Sequence, residues 1–195
     1  ALIDGVSACT FRVWAPFRDK VTLLIPESKQ WEYAMARDDA GYWELTLPDI
    51  SPGTRYYYQL DGRLQRPDPP SRCQPEGVHG PSSVTDPYAF AFTDEQWKGM
   101  DLSDMIIYEL HIGAFTPEGT LKAPEARLPA LQELGITAIE IMPVGQFPGD
   151  RNWGYDGVYP YALQNSYGCP EDLKSLVNKA HALGIAVILD VVYNH

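Results

Sequence analysis

The residues best suited to chemistry lie near the end of the chain. The stretch "IAVILDVVYNH", residues 185–195, is apolar from Ile185 to Val192 apart from Asp190, and then turns polar at Tyr193, Asn194 and His195. A continuous apolar run is the pattern of a strand buried on both faces of a parallel sheet. The carboxyl ends of such strands are where α/β sheets and barrels collect binding and catalytic groups. Asp190 inside that strand requires a partner, because an unpaired buried charge is costly. A lone histidine is more often a structural hydrogen bonder, but His195 falls just past the strand's carboxyl end, which favours a functional role. His79, His111 and His181 lack that placement, and His181 reads as a helix-surface residue. No three candidate ligands have the spacing of a metal site, so neither metal nor cofactor is expected.

A second group lies upstream, in the 27 residues from Pro143 to Cys169. A loop this long is either functional or disordered, and Phe147, Trp153, Tyr155, Tyr159, Tyr161 and Tyr167 make it too aromatic for disorder. Flat rings edged by polar groups suit the apolar C–H faces of a sugar. Equally, any one ring could pack the loop onto its support. Asp156, after Tyr155 in "NWGYDG", could bond sugar hydroxyls or close the adjacent turn. Glu140, in the apolar "AIEIM", needs a partner; a structural network is the favoured role, a site-supporting one the alternative.

These residues need elements to position them. After Asp104, "MIIYELHIG" is strand-like, and Leu128, Leu131 and Leu134 give residues 123–134 a helical period closed by Gly135. "ITAIEIMP" is a second strand. "PEDLKSLVNKAHALG" is a helix with Pro170 in its first turn and Gly184 at its end, followed by the final strand. Strand–helix alternation of this kind predicts right-handed βαβ units and a parallel sheet. Three parallel strands with a bare apolar edge suggest an incomplete sheet. Residues 10–60 read differently: "TFRVWAP", "VTLLIP", "WEYAMA", "YWELTLP" and "TRYYYQL" are short strands between turn clusters, the pattern of an immunoglobulin-like β-sandwich. Between the two regions, "RPDPPSRCQPEGVHGPSSVTDP" (66–87) holds six prolines and no apolar period, and reads as an ordered connection. The expected division is a β-sandwich over 1–93 and, over 94–195, the start of a parallel α/β domain, either a doubly wound sheet or a (β/α)8 barrel.

Composition narrows the partners. Acidic residues outnumber basic ones by 26 to 15, for a formal net charge of -11, which argues against a nucleic-acid partner. A neutral carbohydrate is compatible with that charge. No run of apolar residues is long enough to span a membrane, and "ALIDGVSACTFRVWAP" has no secretory-leader pattern. The scattered Cys9, Cys73 and Cys169 read as free thiols in a reducing cytoplasm.

Several of these segments resemble a known family. "DVVYNH", "GITAIEIMPV" and "WGYDGVYPYA" are similar to conserved segments of the α-amylase superfamily, glycoside hydrolase family 13. "RPDPPSRCQPEGVHGPSSVTDP", "IIYELHIGAFTPEGT" and "IMPVGQFPGDRNWGYDGVYPYALQNSYG" resemble its trehalose-releasing branch more narrowly. Cys73 and Cys169 depart from that pattern, which has tyrosine and glycine there. The resemblance implies that 94–195 is the start of a (β/α)8 barrel. It also implies a retaining hydrolase that cuts the α-1,4 bond beside the terminal trehalose of a malto-oligosyltrehalose substrate. It implies that His195 hydrogen-bonds the sugar at the cleavage subsite, that Tyr155 stacks on the same ring, and that Asp190 supports the site. Trp153 and Asp156 would lie near the sugar. The asparagine matching Asn194 is a calcium ligand in calcium-dependent amylases, but this branch is not expected to need the ion. The family's nucleophile and acid/base come from later strands, so the 195-residue chain by itself is expected to be inactive. The rival readings are a glycogen branching or debranching enzyme of the same superfamily, and a non-catalytic carbohydrate-binding module.

Overall fold

The computed structural model of the chain describes residues 2–3 and 6–193, with side chains from residue 8 onward. The chain divides into two compact units, Ala1–Asp86 and Pro87–His195.

The first unit is built from β1 (Leu2–Ile3), β2 (Val6–Trp14), β3 (Val21–Leu24), β4 (Glu32–Ala34), β5 (Ala36–Arg37), β6 (Tyr42–Pro48), β7 (Arg55–Leu60), β8 (Leu64–Arg66) and β9 (Ser82–Ser83). One antiparallel sheet has the order β1-β2-β6-β5, the other β4-β3-β7-β8 with β9 beside β7. Period-two patterning explains the faces. Phe11 and Val13 of β2 are buried while Arg12 and Trp14 are exposed, and in β7 Tyr56 and Tyr58 are buried between more exposed neighbours. The buried faces of both sheets share one core of Phe11, Val13, Val21, Leu23, Trp43, Tyr56 and Tyr58. "WEYAMA", expected as one strand, is two. The chain leaves β4 in one sheet and enters β5 in the other, with Met35 buried in the core at the crossing.

The proline-rich connection is held to this unit by a buried polar chain. Tyr56 Oη donates to Asp68 Oδ2 at 2.7 Å and the Asp68 amide donates to Ser82 Oγ at 2.9 Å. Ser82 Oγ donates to Gln74 Oε1 at 2.6 Å, and Gln74 Nε2 donates to the carbonyls of Gly77 and Gly80. Burial pushes the Asp68 carboxyl up to about 6, against the pull of the Tyr56 hydrogen bond, and its Oδ1 has no partner.

The second unit contains β10 (Ile107–Leu110), α1 (Ile112–Phe115), α2 (Leu128–Glu133), β11 (Ala138–Ile141), β12 (Gly145–Gln146), β13 (Tyr159–Leu163), α3 (Pro170–Ala182) and β14 (Ala186–Leu189). β10, β11 and β14 form a parallel sheet in that order. Leu110, Ile139 and Ile141 pack with Leu128, Leu131, Leu176 and Ala180 in its core. The helix read over 123–134 is instead a 3-10 turn, Ala123–Arg127, followed by α2. Pro129 explains the break, since within one continuous helix its ring would oppose the carbonyl four residues back.

Three further readings change. The run 185–192 is not a strand buried on both faces: β14 is four residues long, and Leu189 and Val191 are 43% and 46% exposed. Among the described residues β14 is paired on one side only, by β11. The boundary falls at 86/87 rather than 93/94, because residues 87–94 are tied to α3. Lys174 Nζ donates to the Pro87 carbonyl, and the Thr93 amide donates to Asn178 Oδ1 at 2.8 Å. His181 is not a bare helix-surface residue either. Its Nδ1 lies 2.6 Å from Asp94 Oδ2 and its ring stacks on Trp97 with centroids 4.5 Å apart.

Candidate active-site region

Tyr155 and Asp190 meet at the carboxyl end of the parallel sheet. The Asp190 amide donates to the Ile141 carbonyl at 3.0 Å, carrying the β11–β14 ladder one residue past β14. There Asp190 Oδ2 accepts the Tyr155 hydroxyl at 2.8 Å. Asp190 is therefore past the strand rather than inside it, and Tyr155 is a partner its carboxylate needs. Glu109, Glu140 and Ile188 are register partners across β10, β11 and β14. Alternation puts them on the face opposite Tyr108, Ile139 and Val187, which pack toward the helices. Glu140 is partly exposed on that face rather than enclosed in an apolar strand. The hydrogen bond to Asp190, then lost solvent and the charges of Asp190, Glu109 and Glu140, hold the Tyr155 phenol above its ordinary value. It stays a neutral donor.

The loop that carries Tyr155 rests on an amide core. β12 and β13 pair as a short antiparallel ribbon, and Gln146 and Gln164 beneath it are fully buried. Gln146 Nε2 donates to Gln164 Oε1 at 2.7 Å and to the Phe147 carbonyl at 2.9 Å. The Phe147 amide donates to Gln164 Oε1, the Asn165 amide to Gln146 Oε1, and Gln164 Nε2 to the Gly149 carbonyl. Of the six rings in the loop, Phe147, Tyr159 and Tyr167 are buried, Tyr155 is partly so, and Trp153 and Tyr161 are 74% and 67% exposed. Half of the aromatic content is therefore packing, and Trp153 and Tyr161 are the rings with free faces.

The tip of the loop is pinned from within. Asp156 Oδ2 accepts Asn152 Nδ2 at 2.7 Å and Asn152 Oδ1 accepts the Gly154 amide at 2.8 Å, so Asp156 closes a turn. Gly154 has φ +97°, and a Cβ there would fall 1.9 Å from the Pro143 carbonyl oxygen; only glycine fits. His111 Nε2 lies 2.7 Å from the Asn152 carbonyl oxygen, and Tyr167 Oη lies 3.1 Å from the same nitrogen. Contrary to the sequence reading, His111 is at a strand's carboxyl end, the first residue after β10. The strand-like "MIIYEL" run that ends at Leu110 is the available signal, since a histidine directly after it stands at the strand's mouth. The Gln146–Gln164 pair left no signal, since two glutamines 18 residues apart follow no period.

Cys169, where the resemblance leads one to expect glycine, starts α3. Its amide and thiol both donate to Asp172 Oδ2, at 2.9 and 3.2 Å, a capping box with sulfur in place of a hydroxyl. Asn194 and His195 lie outside the described residues. Among the described residues no group of three His, Cys, Asp or Glu could hold a metal ion, and no helix is long and apolar enough to cross a membrane.

A parallel βα sheet with a carboxylate–tyrosine pair at its carboxyl end is the layout on which α/β folds build their binding sites. The family described as alpha amylase, catalytic domain, matches residues 86–195, and carbohydrate-binding module 48 (isoamylase N-terminal domain) matches residues 2–89. The chain belongs to the alpha-amylase family. It is 55% identical over 192 residues to the malto-oligosyltrehalose trehalohydrolase of Saccharolobus solfataricus, a match that covers 98% of this chain and 33% of that protein. The enzyme of the same name from Deinococcus radiodurans is 46% identical, with 99% of this chain and 31% of the relative covered. The crystal structure of a putative alpha amylase from Salmonella typhimurium superposes with a TM-score of 0.91 at 43% identity, covering 96% of this chain and 32% of that one. The chain spans about a third of the length of the curated relatives it matches.

Proposed function

We propose that the chain is part of a retaining glycoside hydrolase that releases trehalose from malto-oligosyltrehalose by cutting the α-1,4 bond beside the terminal trehalose. In this reading the first unit is an immunoglobulin-like β-sandwich. The second holds the first three strands of a (β/α)8 barrel, and the enzyme works in the cytoplasm on a neutral carbohydrate. The observation that carries it is the Tyr155–Asp190 hydrogen bond at 2.8 Å, which stands a ring beside a fixed carboxylate where a barrel enzyme binds its substrate. The trehalohydrolase names of the 55% and 46% identical relatives support the choice of substrate.

The roles are those that the resemblance to the α-amylase superfamily implies. Tyr155 stacks on the sugar at the cleavage subsite and is held upright by Asp190. His195 hydrogen-bonds that sugar, and Trp153, exposed on the same loop, offers a second stacking face. Asp156 acts indirectly, by closing the turn before it reaches any hydroxyl. Retaining hydrolysis also needs a nucleophile and an acid/base about 5–5.5 Å apart; neither role is given to a residue of this chain. The full-length enzyme, incubated with malto-oligosyltrehalose, should release free trehalose. New α-1,6 branches instead would identify a branching enzyme and overturn the reading.

A further inference from the structure

We propose that His111 is a positioning residue for this site: it donates a hydrogen bond that fixes the 152–156 turn and so sets Tyr155 on Asp190. The inference deepens the proposed hydrolase reading and rests on it for its kinetic arm.

The direction of the bond follows from the acceptor. The Asn152 carbonyl oxygen, 2.7 Å from His111 Nε2, can only accept. The proton must therefore be on Nε2, which fixes the tautomer of the neutral ring. Tyr167 Oη, 3.1 Å from the same nitrogen, sends its own proton toward the Asn152 carbonyl at 3.5 Å. One carbonyl thus gathers two donors. Tyr167 is 2% exposed, so its hydroxyl has no room to swing away. A Cβ on Gly113 would lie 3.0 Å from His111 Cε1 and 3.1 Å from Tyr167 Cε1, which makes Gly113 the small residue that lets both rings close in.

From the Asn152 carbonyl the constraint runs in a short line to Tyr155. Asn152 uses its side chain to bind the Gly154 amide and Asp156 Oδ2, the residues either side of Tyr155. With Asn152 fixed at its carbonyl and both flanks tied to its amide, the Tyr155 hydroxyl has a defined height above the sheet end, where it meets Asp190. His111 is also the residue directly after β10, so the loop is anchored to the first parallel strand while Asp190 is anchored to the third. A polar contact between the two requires both anchors.

The test compares His111→Gln with His111→Leu in the full-length enzyme. Glutamine places an N–H near the position of Nε2 and leucine does not. His111→Leu should lower kcat on malto-oligosyltrehalose by about 10- to 100-fold with little change in KM, the scale of a displaced positioning contact. His111→Gln should stay within about threefold of the parent. Combined with Tyr155→Ala, the leucine change should add less than twofold, because it acts through Tyr155. A crystal structure of His111→Leu should show the 152–156 turn displaced and the Tyr155–Asp190 bond broken, with the sheet unchanged. An intact Tyr155–Asp190 bond in that structure, or full additivity in the double variant, overturns the proposal. A parent enzyme that released no trehalose would fail the functional reading instead, and the crystal structure would still decide the role of His111.

Discussion

The Tyr155 hydroxyl and the Asp190 carboxylate, 35 residues apart in sequence, are joined by a 2.8 Å hydrogen bond. The bond gives the tyrosine two separable parts, a ring face and an anchoring hydroxyl. Tyr155→Phe in the full-length enzyme should keep the ring and lose the anchor, lowering kcat/KM by about tenfold, roughly what one hydrogen bond to a charged group contributes. Tyr155→Ala should lose both and fall at least another tenfold. Steady-state kinetics on malto-oligosyltrehalose check this, and equal losses in the two variants would leave no role for the ring face.

The buried amide pair beneath the loop should be expensive to break. Gln164→Leu leaves the Phe147 amide without an acceptor and removes the bond from Gln146 Nε2, which keeps the Phe147 carbonyl and Asn165 Oδ1. At about 1–3 kcal/mol for the stranded amide and about 1 kcal/mol for the lost bond, the second unit should lose on the order of 2–4 kcal/mol. Denaturant unfolding of wild type and variant measures it.

Gly154 and Gly149 make a controlled comparison. Both have positive φ, +97° and +78°, but a Cβ at Gly149 meets nothing within 4 Å while one at Gly154 strikes the Pro143 carbonyl. Gly149→Ala should cost about 1 kcal/mol, from backbone conformation alone. Gly154→Ala should cost clearly more and lower turnover as well. Paired thermal melts and kinetics separate the two outcomes.

Asp68 gives the first unit a pH dependence of defined sign. Its folded carboxyl is raised to about 6, above the value near 4 of an unfolded aspartate, so between these pH values the folded state binds more protons. Stability from this group is fully present below about pH 4 and is lost as pH rises through 6. The cumulative loss at pH 7 is about 3 kcal/mol. Asp68→Asn retains an acceptor for Tyr56 Oη and cannot ionise. Its unfolding free energy, followed from pH 4 to 8, should lack that decline, and a wild-type decline that survives the substitution would assign the effect elsewhere.

The framework was legible because it is periodic. Leu173, Leu176 and Ala180 mark the apolar face of α3, and the alternation of Tyr56 and Tyr58 marks β7. Asp190 could be flagged because a carboxylate in an apolar run demands a partner, although nothing nearby named Tyr155. The rest depends on long-range contacts that carry no period. Asp94 and Trp97 cover His181 from a segment about 85 residues away, so a polar helix position looked solvated. The place of His111 is not legible because strand ends cannot be fixed to one residue from sequence, and one residue decides whether a side chain belongs to a strand or to its mouth. Asp156 had two local readings, and only the position of Asn152 chose between them.

The amide core also determines what an acid titration of the enzyme can report. Gln146 and Gln164 carry no titratable group, and their bonds run to each other, to the uncharged Asn165 and Ser166 side chains and to main-chain atoms. The loop footing therefore keeps its strength across the whole working pH range, whatever happens to the carboxylates above it. An acidic limb in the rate profile, measured where the β-rich first unit remains folded, then records proton uptake by groups above that footing, in the 152–156 turn or facing the sugar, rather than loss of the footing itself.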